Sequence, residues 1–145
     1  VGFEVTFCKS PHEVASECNL IITATASKDY VLSNNDILQG THINAIGSDT
    51  PSKRELGPGI IEKADLVIAD SIEQCKYRGE IACSIRDGNL KLDNVVELGD
   101  VLSGKISGRE SKSQITVSDL TGVAVQDIKI ADSVYKKFME NKNEI

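Results

Sequence analysis

Tryptophan is absent, and three tyrosines and three phenylalanines leave aromatic residues at 4% of the 145 residues. Platforms that stack sugars or unpaired bases need aromatic faces, and this chain has few to offer. Basic residues are also short, 16 against 22 acidic, for a formal net charge of −6. That is the wrong sign for the basic face of a nucleic-acid-binding domain. No apolar run approaches the roughly 18 residues of a membrane span, and the first residues lack the basic-then-apolar pattern of a signal peptide. The four cysteines, Cys8, Cys18, Cys75 and Cys83, form no CxxC pair and have no histidine beside them, so neither a zinc site nor a disulfide framework is indicated. They read as buried thiols in a reducing compartment. GxGxxG, GxxxxGK[ST] and GxSxG are all missing. With 40% hydrophobic and 26% charged residues a core is within reach. The expectation is an acidic, soluble, cytoplasmic domain that uses no metal, nucleic acid or membrane.

What is present is an alternation of short apolar runs with helical patterns. Val1–Phe7 reads as part of a strand, with Val5 and Phe7 at strand spacing in Glu4–Cys8. A strand so close to residue 1 suggests a piece cut from a longer chain. Leu20–Thr25, His42–Ile46, Leu66–Ala69 and Ile115–Ser118 are too apolar for half-exposed strands and suit a parallel sheet covered on both faces. Between them, Ser10 and Glu13 form a capping box with Pro11 at the first helical position. Ser33 precedes a turn that Gly40 stops, and Pro58 opens a helical segment over 59–64. Asp70 or Ser71 caps Ile72–Tyr77 before Gly79, and Ile81–Ile85 runs to Gly88. The clearest helix covers Val123–Glu140, with apolar positions 124, 128, 131, 135 and 138 on one face. Residues 99–113 are polar and rich in Gly and Ser, a loop. Lys136, Lys137, Lys142 and Glu144 make a charged tail. The order predicts a doubly wound α/β domain.

Ligands of open parallel sheets bind at the carboxyl ends of the strands, and three such ends carry distinctive residues. Thr23-Ala-Thr-Ala-Ser27 is small and hydroxylated, which allows close approach of a flat or phosphorylated ligand; a plain β-to-α turn explains it equally. Asn44-Ala-Ile-Gly-Ser-Asp49 ends a strand in Gly47, and Asp49 and Lys53 flank Pro51. Shielded there, the Asp49 carboxyl would have its pKa raised towards neutrality and work as proton acceptor and donor, with Lys53 beside a phosphate or carboxylate. The blander reading has Asp49 capping a helical turn over Thr50–Glu55 and Lys53 solvated. At the third end, Asp119 or Thr121 could cap the last helix, whose N-terminal amides attract anions. His12 and His42 read as structural.

THINAIGSDTPSKREL (41–56), ADLVIADS (64–71), ELGDVLSGKISGRES (97–111) and ITVSDLTGVAVQD (115–127) together resemble the ornithine cyclodeaminase/mu-crystallin family, which includes archaeal-type alanine dehydrogenases. The resemblance runs in order from about residue 18 to the end. It implies a partial Rossmann-type NAD(P)-binding domain lacking the first βαβ unit, over residues 1–122. A C-terminal helix, 123–145, would pack on a substrate and dimerisation domain outside the chain. It also implies oxidation of an amino acid C–N bond to an imine by hydride transfer, in a homodimer, with NAD or NADP as cofactor. Asp49 matches the family's acid/base and also a substrate contact. Thr23, Thr25, Asn44, Ala45, Ile46, Gly47, Lys53 and Leu120 match cofactor contacts, and Thr121 a substrate contact, with Leu120 standing where the family has Ser. The family's mu-crystallin-like members lack the Asp, and a non-catalytic cofactor carrier is the alternative. A fragment without the Gly-rich loop is expected to be inactive by itself.

Overall fold

The structure, a computed structural model, describes residues 2–90 and 92–142; Val1 and Glu144 of the expected strand and tail lie outside them. Five parallel strands form one sheet: β1 Leu20–Thr23, β2 His42–Ala45, β3 Leu66–Ala69, β4 Val95–Glu97 and β5 Thr116–Asp119, in the order β1-β2-β5-β3-β4. Ile21, Ile43, Val117, Val67 and Val95 stand in one row across all five strands, and every one is buried. The next row towards the carboxyl ends on that face is Thr23, Ala45, Asp119, Ala69 and Glu97. Alternation along each strand therefore carries an apolar floor directly into a polar rim.

The apolar row packs into a core with Leu32, Ile37, Leu56, Ile60, Ile61 and Ile81, each side chain contributing about 1.5–3 kcal/mol of burial. These come from the loop after β1 (Leu32), the end of a 3₁₀ turn Asn34–Asp36 (Ile37), the loop after β2 (Leu56), and helices α2 (Ile60–Lys63) and α4 (Gly79–Arg86). Helix α1, Pro11–Glu17, starts as expected, with the Ser10 hydroxyl accepting from Glu13 N–H; the Glu13 carboxylate reaches the N–H of Lys9 instead of Ser10. Ser71, rather than Asp70, caps α3 (Ile72–Cys75).

Several expectations change. Residues 2–8 form no strand: Phe3, Val5 and Phe7 are 81%, 69% and 92% exposed, and an apolar alternation cannot hold an extended ladder without a neighbour to pair with. The fifth strand is instead β4, and α5 (Leu98–Leu102) takes the start of the supposed 99–113 loop. Coverage on both faces fails at β1, where Leu20 and Ile22 are more than half exposed. Only Cys75 and Cys83 are buried; Cys8 and Cys18 are exposed thiols. The last helix, α6, runs Ala124–Lys142 and has no buried residue. Neither Asp119 nor Thr121 caps it.

Asp119 caps α4 instead. Its Oδ2 accepts from Ile81 N–H at 2.8 Å, where the N-cap residue Arg78 provides no side-chain bond. The approach is so close that a Cβ at Gly79, whose φ is +88°, would fall 2.5 Å from that oxygen. Burial pushes the Asp119 carboxyl up to about 7 from its ordinary 3.8; the N–H groups of Ile81 and Glu80 oppose the rise, and the charges of Glu80 and Asp70 add to it. A carboxyl raised in the folded state stabilises the fold fully below its unfolded pKa and loses that contribution as pH rises through the folded value. Asp119→Asn has no proton to lose. Its urea midpoint relative to the unaltered protein is therefore expected to climb between about pH 4 and about pH 8; a pH-independent difference contradicts this.

Candidate cofactor and catalytic edge

Two further buried carboxylates organise the carboxyl ends of β1 and β2. Glu55 is fully buried; its Oε1 accepts from Thr25 N–H at 2.5 Å and its Oε2 from Gly47 N–H at 2.9 Å. One side chain thus ties the exits of two adjacent strands. Glu80, on α4, holds Glu55 in turn, accepting from the N–H groups of Glu55 (2.7 Å) and Leu56 (3.1 Å). Burial pushes the Glu80 carboxyl up. A side chain at Gly47 would collide with the Glu55 carboxylate and the Thr25 carbonyl, so glycine is required there by space.

On this frame Thr23, Thr25, Asn44, Ala45, Ile46 and Gly47 come together. Ile46 N–H donates to Thr23 O at 2.9 Å, extending the β1–β2 ladder past the strand ends, and Ile46 itself is 42% exposed. Leu120 joins through its N–H, which donates to Ala45 O at 2.9 Å. Thr23 Oγ1 is buried without a hydrogen-bond partner among the described residues. An open groove of about 360 Å³, lined by Val14, Ile22, Thr23, Ala24, Thr25 and Leu32 among others, lies against β1.

Asp49 and Lys53 project from the turn beyond Gly47, with Lys53 Nζ 2.6 Å from Asp49 Oδ1. Ser48 Oγ donates to Lys53 O, and Lys53 N–H to Thr50 O, which fixes the turn; residues 50–52 make no helix for Asp49 to cap. The Asp49 side chain is half exposed, and the hydrogen bond from Lys53 holds its carboxyl below the usual range. This reverses the expected upward shift: shielding is missing and the cation is present.

Thr121 is placed differently from the others. It is buried, its hydroxyl donates to Asp70 Oδ1 (3.2 Å) and accepts from Gln74 Nε2 (2.6 Å), so both of its bonding directions are used within the protein. Asp70 also accepts from Gly122 N–H at 2.7 Å. The group stitches β3's exit to β5's.

Sequence reasoning missed Glu55 and Glu80. A glutamate wedged between Arg54 and the apolar Leu56 was the available signal for the first. Nothing near Glu80 announces that its partner lies 25 positions away.

A family model described as the ornithine cyclodeaminase/mu-crystallin family matches residues 1–142. The chain belongs to this family. It is 42% identical over 127 residues to an alanine dehydrogenase of Archaeoglobus fulgidus, covering 87% of this chain and 39% of that protein. Among solved structures, the iminosuccinate reductase of Paracoccus denitrificans in complex with NAD+ superposes with a TM-score of 0.84 at 32% identity, covering 90% of this chain and 40% of that one. The Δ1-pyrroline-2-carboxylate reductase of Thermococcus litoralis, in complex with NADH and L-proline, gives 0.88 at 27% identity, covering 93% and 42%. The chain spans about two fifths of the length of these members of the ornithine cyclodeaminase/mu-crystallin family.

Removing the Glu55 carboxylate leaves the buried N–H of Gly47 and the partly buried N–H of Thr25 without acceptors, at a cost of about 1–3 kcal/mol for a buried group. Glu55→Ala is expected to lower unfolding stability by about 2–5 kcal/mol in urea denaturation, and Glu55→Gln, which keeps one acceptor oxygen, by about half as much. Equal losses in the two variants would show that cavity formation, not hydrogen bonding, dominates.

Proposed function

We propose that the protein carrying this chain is an NAD(P)-dependent oxidoreductase or deaminase acting on the C–N bond of an amino acid, with Asp49 as its acid/base. The observation that carries the reading is the convergence of an open strand edge, bearing a Thr23 hydroxyl without a partner among the described residues, with an Asp–Lys pair on the adjoining turn. Those residues fit a dinucleotide: Thr23, Thr25, Ile46 and Leu120 would line its reactive end, on a backbone that the Glu55 carboxylate holds at Thr25 and Gly47. When bound, the nicotinamide supplies the hydride chemistry. The relatives' substrates, alanine, proline and imino acids, all present a nitrogen on the carbon that exchanges hydride.

Asp49 enters as a carboxylate. It is suited to take a proton from the substrate's ammonium group or from an attacking water, and to return it to the leaving amine. Lys53 keeps it ionised until substrate arrives and stabilises a negative group beside it. Thr121, with its hydroxyl engaged by Asp70 and Gln74, serves by shaping the 119–122 turn, so that any substrate contact there falls to the main chain. The apolar side chains of α6 and the bare face of β1 would be covered by the rest of a longer protein, which we take to be a cytoplasmic homodimer. The 145-residue chain alone, without a Gly-rich loop, is expected to bind NADH weakly or not at all.

In the full-length protein Asp49→Asn should lower kcat at least a hundredfold and leave the NADH dissociation constant within about threefold. Lys53→Met removes the cation that lowers the Asp49 pKa, so the acid limb of the kcat/KM profile should move to higher pH. Retained turnover in Asp49→Asn would remove Asp49 as the acid/base, and NADH binding without turnover in the unaltered protein would favour the non-catalytic carrier.

A further inference from the structure

His42 opens β2 on the face of the sheet away from the core, two residues before Asn44 and in register with Thr116 on β5. Its imidazole is held at both nitrogens. Nδ1 lies 2.6 Å from Thr116 Oγ1, and Nε2 lies 3.0 Å from Asn44 Oδ1. A carboxamide oxygen can only accept, so Nε2 carries the hydrogen and donates it. In the neutral ring Nδ1 is then an acceptor, and the hydroxyl of Thr116, which is 1% exposed, donates into it. The three side chains form a one-way series from Thr116 through His42 to Asn44.

The ring tautomer and the orientation of the Asn44 amide are coupled in this series. With Oδ1 engaged by the ring, the Nδ2 group has no hydrogen-bond partner among the described residues, and it is not one of the buried unpartnered atoms. It stands on a half-exposed residue beside Ile22, which is 59% exposed, at the open end of the β1–β2 edge. Turning the amide over would require the other tautomer, with Nδ1–H donating to the Thr116 hydroxyl and Nε2 accepting from Nδ2, so the tautomer of His42 reports which end of the amide faces outward.

We infer that His42 is a positioning residue that locks the Asn44 amide so that it presents N–H donors, not an acceptor, to the ligand at this edge. The group recognised is a hydrogen-bond acceptor, such as the carboxamide oxygen or a ribose hydroxyl oxygen of a nicotinamide nucleotide. The assignment rests on the reading of this edge as a cofactor site, whereas the lock itself rests on the three side chains alone.

The test uses the full-length protein, with NADH as probe in fluorescence titration and histidine-labelled protein in long-range 1H–15N spectra. The unaltered protein should show the Nε2–H tautomer for His42, assigned by its loss in His42→Phe. His42→Phe and Asn44→Asp should each weaken NADH binding about tenfold, with the double variant no worse than about tenfold, because both remove one oriented donor. Thr116→Val, which keeps the shape and takes away only the donor into Nδ1, should weaken binding about two- to threefold and covers the case in which His42→Phe does not fold. The Nδ1–H tautomer would overturn the lock. Unchanged NADH binding in Asn44→Asp and Thr116→Val would overturn the role of the lock in recognition. No NADH binding by the unaltered protein would overturn both the cofactor reading and the ligand assignment, while the tautomer still decides the lock.

Discussion

Where parallel strands end, their last N–H groups run out of ladder partners, and a buried N–H without an acceptor costs about 1–3 kcal/mol. Glu55 meets that demand here, and two more buried carboxylates, Glu80 and Asp119, do the same for the loop that carries Glu55 and for the first turn of α4. Asp119 closes the N-terminus of α4, Glu80 on α4 takes the N–H groups of Glu55 and Leu56, and Glu55 takes those of Thr25 and Gly47. Strands β5, β1 and β2 are thereby joined at their exits through side chains as well as through the ladder bonds from Ile46 N–H to Thr23 O and from Leu120 N–H to Ala45 O. Anything that binds at the edge meets a backbone whose positions are already fixed, so little ordering is left to be done on binding.

The same arrangement accounts for the division of labour among the acidic residues. Asp119 and Glu80 are enclosed, and burial raises their carboxyls. Asp49 sits half in solvent beside Lys53 and is lowered. Three carboxyl groups near one edge are thus separated by environment into two that bond backbone amides and one that is free to exchange protons. Closure of a further domain over Asp49 would remove water from the Asp49–Lys53 pair and strengthen both the ion pair and its response to an incoming ammonium group.

Much of the fold was legible because strand-length apolar runs with β-branched residues have few other uses: Leu20–Thr23, His42–Ala45 and Leu66–Ala69 fell where the pattern placed them. Val95–Glu97 escaped because three residues ending in glutamate carry almost no periodicity, and residues 2–8 misled because a strand pattern is necessary but not sufficient without a pairing partner. The candidate site was legible as a set of segments and not as a set of bonds. Gly47, Asp49 and Lys53 stand together in sequence, so local spacing shows them. Glu55 to Thr25, Glu80 to Glu55, and Asp119 to Ile81 span 30, 25 and 38 positions, and only the folded sheet brings them within reach. Thr121 shows the converse: its position next to the edge is visible in sequence, but the bonds to Asp70 and Gln74 that occupy its hydroxyl are not.

If this edge supports hydride exchange at the nitrogen-bearing carbon of an amino acid, as proposed, a deuterium label on that carbon must move. The most direct measurement gives the full-length protein NAD+ or NADP+ with L-alanine, L-ornithine or L-proline deuterated at Cα and follows the label by mass spectrometry. Deuterium carried from Cα to the nicotinamide with one of these substrates, or held on the enzyme-bound cofactor and returned to product, is the expected result. A protein that binds the cofactor tightly yet moves no deuterium from any of the three would contradict it.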